Sequence, residues 1–135
     1  MFGIEPDAEK VKAARRKLAG SGLYGTRVTI DHVEPGAPVP YPNYFANLIV
    51  SDTLLTSGRM PGNALAVARH LKPAGGIICL RQIADTGAGV AAWLDSTGLV
   101  VGEKATVASE DGWCLLTRGR LPGADDWSHQ YGNAG

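Results

Sequence analysis

Four residues stand where a ligand would be met if the chain folds as its hydrophobic pattern suggests. Glu5 closes a short apolar run at the N-terminus, and Glu34 follows the alternating run 27–33. Ser51 and Asp52 close a third run, 44–51. Open α/β sheets take ligands beyond the carboxyl ends of their strands. An ionised carboxylate there only accepts hydrogen bonds, which suits hydroxyl and ammonium donors. Each position also has a plainer use. Glu5 could complement the start of the next helix, Glu34 could be a solvated loop residue, and Asp52 could form a turn. Other chemistry has less support. His32, His70 and His129 are far apart, and no His-x-x-x-His or Cys-x-x-Cys spacing is present. Ser51 lacks the flanking pattern of a nucleophile elbow. Cys79 and Cys114 lie in apolar runs and read as buried free thiols. His70 suits the C-terminal end of a helix dipole. Trp93 and Trp113 read as core residues, and Trp127 as the anchor of a C-terminal strap.

Alternating helices and strands must position these groups. Pro6 and Asp7 open a helix whose inward stripe is Ala8, Val11, Ala14 (or the stem of Arg15) and Leu18; Lys10, Lys12, Arg16 and Lys17 face solvent. Residues 34–43 carry four prolines and a glycine, an extended surface loop. Leu65, Ala68 and Leu71 mark the apolar face of a helix that Pro73 ends near Leu71 or Lys72. Gly75 and Gly76 supply positive φ for the turn. Residues 76–80 (Gly-Ile-Ile-Cys-Leu) are apolar without alternation, a strand covered on both faces. A short helix from Val90 ends at Thr97-Gly98, residues 99–108 are β-rich, and 109–112 turn into a last strand at 112–118.

The passage Leu71-Lys72-Pro73-Ala74-Gly75-Gly76 between helix and strand resembles the class I S-adenosylmethionine (SAM) methyltransferases. The resemblance covers residues 2–118 and is strongest over 44–80. It implies an α/β fold: a Rossmann-like three-layer sandwich with a mostly parallel sheet and a C-terminal antiparallel hairpin. It also implies SAM as cofactor. Glu5 would accept hydrogen bonds from the ribose hydroxyls, Glu34 would lie near the adenine, and Ser51-Asp52 would position the methyl donor or its acceptor. No catalytic residue is carried over. The departure from the family is large: the chain lacks the family's first strand and the Gly-x-Gly-x-Gly turn after it. Neither Gly20-Ser21-Gly22 nor Gly87-Ala88-Gly89 replaces that turn, because neither follows a strand. Methyl transfer depends on close positioning of two reactants, so the chain is expected to be inactive as it stands. Loss of a mid-sheet strand would make strands 2–5 and 44–51 pair directly or leave an open edge, which predicts a homodimer through that edge.

Composition narrows the alternatives. Thirteen basic and thirteen acidic residues among 135 cancel, so charge favours neither nucleic acid nor an anionic membrane. No apolar run is long enough to span a bilayer, and residues 1–20 do not read as a signal peptide. Residues 1–118 form the expected domain, with 119–135 a linker or docking tail. Within that tail Asp126-Trp127 and Tyr131-Gly132-Asn133 resemble the leading segment of pyrroloquinoline-quinone-type β-propellers, implying a propeller neighbour. The second reading is therefore a non-catalytic scaffold or interaction domain of a multidomain quinoprotein-like protein. A dinucleotide-binding module is a third, weakened by the same missing glycine loop.

Overall fold

The computed structural model describes residues 1–81 and 87–124. They divide into two compact units that part after Pro40, inside the proline-rich loop.

The first unit is a βαβ element. Strand β1 (Phe2–Glu5) leads into helix α1 (Ala8–Gly20), and β2 (Thr29–His32) returns parallel to β1, with Glu5 opposite His32. Asp7 caps α1, its carboxylate accepting from the amides of Glu9 and Lys10 at 2.9 and 3.2 Å. Val11 is buried, and Ala14, Arg15 and Leu18 are half-buried beside it; Ala8, expected in the same stripe, is exposed. Arg15 lays its stem inward and ends on the Ile30 carbonyl (2.8 Å) and the Asp31 carboxylate (3.2 Å).

The second unit holds β3 (Leu48–Ser51), α2 (Thr53–Ser57), α3 (Ala64–Ala68), β4 (Ile77–Arg81), α4 (Gly87–Asp95), α5 (Leu99–Gly102), β5 (Thr106–Glu110) and β6 (Trp113–Thr117). Its sheet runs β3-β4-β6-β5: β3 and β4 are parallel, with Leu48 opposite Ile77, and β6 is antiparallel to both its neighbours. Strands β1 and β3 belong to separate sheets, so the direct pairing expected as one alternative is not found. Leu54, Ala68, Leu71, Ile78, Leu80, Val90, Leu94 and Leu116 pack the core on one face of this sheet. On the other face Leu48 and Val50 are each 58% exposed.

Several boundaries differ from expectation for identifiable reasons. Helix α3 stops at Ala68, and its buried stripe is Ala64, Ala68 and Leu71, whereas Leu65 is 63% exposed. The chain leaves the helix early because Ala46 pairs with Leu71, donating to the His70 carbonyl at 2.9 Å and accepting from the Lys72 amide at 2.8 Å. The same bridge delays β3 to Leu48. At the turn, positive φ falls on Ala74 (56°) and Gly75 (115°) rather than on Gly76. Gly76 is needed for a different reason: a Cβ there would collide with the Lys72 carbonyl oxygen. Leu99–Gly102 is helical despite its β-branched residues, because Thr97 accepts from the Leu99 amide and Leu99 is buried in the core. The hairpin closes through Asp111 and Gly112, both at positive φ (48° and 75°), a two-residue type I′ turn.

Candidate functional site

In the first unit the carboxyl ends of both parallel strands carry the chemistry. Glu5 is half-buried, and its Oε1 accepts from the Asp7 amide at 3.0 Å, so one oxygen secures the turn into α1. The plainer use of Glu5 is thus real, and its second oxygen remains for a donor. His32, beside Glu5 in register, places Nε2 3.0 Å from the Pro6 carbonyl and 3.2 Å from Glu34 Oε1. Both neighbours of Nε2 are acceptors, so the tautomer that fits carries its proton on Nε2. His32 therefore links the turn after Glu5 to the exposed carboxylate of Glu34. In the sequence His32 presents only as a histidine without metal-ligand spacing; the signal for this role is its place two residues before Glu34 at a strand end.

In the second unit Ser51 and Asp52 separate in role. Ser51 Oγ donates to Thr53 Oγ1 at 2.9 Å and accepts from the Thr53 amide at 3.2 Å, so this hydroxyl is committed to the start of α2. Asp52 occupies the capping position but makes no side-chain cap bond, and it is exposed. Its carboxylate is the uncommitted one at the end of the parallel pair.

Other expectations resolve as structural groups. His70 is 4% exposed; its Nδ1 lies 2.9 Å from the Pro42 carbonyl, which holds the end of the proline-rich loop, and its Nε2 accepts from Arg69 Nε at 3.3 Å. Trp93 is a core residue whose indole donates to the Gly62 carbonyl at 2.8 Å. Trp113 is not: it lies half-buried on the open face of the sheet, with the Arg81 guanidinium 5.1 Å from its ring centre. Cys114 is buried and Cys79 half-buried, and neither is in a disulfide among the described residues. A buried ion pair was not anticipated from the sequence. Arg118 meets both oxygens of Glu103 at 2.6 and 2.7 Å and also donates to the Ala68 and Leu71 carbonyls. The hydrogen bonding to Glu103 pushes the guanidinium still higher than its ordinary range, against the opposing effect of burial. Among the described residues no cluster could hold a metal ion, and no helix is long and apolar enough to cross a membrane. Trp127, Asp126 and the propeller-like stretch lie outside the described residues.

Parallel βαβ elements, acidic residues at their strand ends and a closing antiparallel hairpin define the chain as an α/β protein of Rossmann-like type. Comparison with solved structures bears this out. A Methanococcus maripaludis protein, whose S-adenosyl-L-methionine-dependent methyltransferase activity is itself a proposal, superposes with a TM-score of 0.61 at 14% identity, over 89% of this chain and 66% of its own. A Corynebacterium glutamicum protein matches with a TM-score of 0.50 at 17% identity, over 87% of this chain and 60% of its own. The chain thus spans less than two thirds of the length of either. No family profile and no curated protein matches it. At these identities the likeness is one of fold: the methyltransferase-like Rossmann fold.

Proposed function

We propose that this is a SAM-binding, methyltransferase-like domain whose own residues hold the nucleoside end of the cofactor. The observation that carries this reading is Glu5: a half-buried carboxylate at the end of a parallel strand, with one oxygen spent on the following turn and the other left for a donor. Glu34, tied to the same strand ends through His32, would accept from the base or sugar; in the second unit, as a separate proposal, Asp52 offers an acceptor at the end of β3. Ser51 would act through the backbone it holds. These acceptors fit the hydroxyls of a ribose. The methionine end is fitted less well, because no Gly-rich turn follows a strand among the described residues. When bound, SAM would supply a methyl group on a sulfonium, and this chain would bind and orient it. Methyl transfer by the residues described is expected to be slow, since among them no glycine-rich turn follows a strand to fix the methyl donor.

Isothermal calorimetry with SAM and with S-adenosylhomocysteine tests the reading. Micromolar binding is expected, about tenfold weaker in Glu5→Gln, which keeps an oxygen for the Asp7 amide while losing the charge. No heat at millimolar ligand favours the scaffold reading instead. We also propose weak self-association through β3, which has a strand on only one side among the described residues and carries no charge between Phe45 and Ser51. An antiparallel dyad at Ile49 would set Leu48 against Val50 of a second copy. Sedimentation should show mass rising with concentration, and Val50→Lys should keep the chain monomeric; a wild-type monomer at high concentration rejects the dimer.

A further inference from the structure

The open face of the second unit's sheet ends in a row of three side chains set by strand register. Arg81 on β4 is opposite Trp113 on β6, and Trp113 is opposite Glu110 on β5. Residues paired across a sheet point to the same face. The opposite face takes Ile78, Leu80, Cys114 and Leu116 into the core, so this row lies outside it. Beside it is a shallow depression of about 300 Å³ lined by Cys79, Leu115, Trp113, Glu110 and Asp111. Leu80 is opposite Ser51, so the depression lies at the carboxyl end of the parallel pair, the end at which α/β sheets meet their ligands.

The lining has a consistent chemistry. Its floor is apolar: Leu115, the indole of Trp113 and the Cys79 thiol, which burial pushes above its usual range and so keeps neutral. Its rim is anionic. Neither Glu110 nor Asp111 makes an ion pair among the described residues, and both are exposed. The indole already faces a cation, because Arg81 rests over it. An aromatic face with carboxylates at its edge selects positive charge, and an apolar floor selects a short hydrocarbon.

We propose that this depression binds a short alkylammonium group, its hydrocarbon on Leu115 and Cys79 and its charge over Trp113 between Glu110 and Asp111. Arg81 occupies the indole in the free protein and is displaced by the ligand. The proposal does not depend on SAM binding. It concerns a second ligand class, of the kind an amine substrate would present.

The test is a titration of the ¹⁵N-labelled full chain with n-butylammonium chloride, with 1-butanol as the neutral control. The indole N–H of Trp113, assigned by Trp113→Phe, is the readout. A saturable shift with the ammonium and a much smaller one with the alcohol are expected. Glu110→Gln with Asp111→Asn should weaken binding about fivefold, the effect of exposed charge pairs. Arg81→Gln should tighten it about threefold by vacating the ring. These are surface changes, so the remaining amide spectrum should stay in place. Equal responses to amine and alcohol, an undiminished response in the charge-removed variant, or no shift would each overturn the proposal.

Discussion

At the level of single residues, the structure separates groups that act on the fold from groups left over for a ligand. Ser51 and Asp52 are neighbours that looked equivalent in the sequence, yet the hydroxyl accepts from the first amide of α2 and the carboxylate makes no bond to the helix start. Glu5 spends one oxygen on the turn into α1, and the other is the one proposed for a ligand. Arg118 and Glu103 belong wholly to the fold. Their side chains are only 4% and 13% exposed, and the guanidinium also ties the end of α3 to β6. Replacing one partner strands a buried charge. Arg118→Met should lower stability by about 3–5 kcal/mol in urea unfolding. Arg118→Met combined with Glu103→Leu should recover most of that loss; if it does not, the carbonyl contacts matter more than the ion pair.

At the level of elements, the turn between α3 and β4 explains why the Lys-Pro-Ala-Gly-Gly string is written as it is. Pro73 ends the helical path, Ala74 and Gly75 take left-handed backbone, and Gly76 lets the strand pass close to the Lys72 carbonyl. Gly76→Ala should therefore cost about 2 kcal/mol, an overpacking penalty against backbone that cannot yield. Ala74→Gly, which removes a side chain from φ 56°, should gain about 0.5 kcal/mol. Thermal unfolding of the two variants checks both, and a shift of the same sign would contradict this account of the turn. Much of this was legible beforehand, because proline and glycine constrain the backbone locally. The pairing of β3 with β4 is parallel as expected, but the cover on both faces that the unbroken run at 77–80 suggested is not found: Ile77 and Cys79 are half-buried beside exposed Leu48 and Val50. The hairpin turn expected over 109–112 narrows to Asp111-Gly112, because β5 runs on to Glu110. Long-range partners were not legible. Nothing in the spacing linked Ala46 to Leu71 or Arg118 to Glu103, and the first of these contacts is what shortened α3 and delayed β3. Likewise, residues 99–108 read as β because valine favours strands, while burial of Leu99 made its first part helical.

For the molecule as a whole, the fold class expected from the sequence and the solved structures it resembles agree, while the chain spans 66% and 60% of the lengths of those two proteins. Its candidate site was half legible. The acidic strand ends follow from the strands, and the place of His32 two residues before Glu34 was a signal left unused, whereas the Arg81–Trp113–Glu110 row appears only once register places side chains next to one another. The proposed site lies at the carboxyl ends of β1 and β2. Chemical-shift mapping with S-adenosylhomocysteine on the ¹⁵N-labelled chain tests it most directly. Saturable shifts concentrated at Glu5, His32 and Glu34 are predicted; shifts centred on the opposite ends of β1 and β2, or none at millimolar ligand, would contradict it.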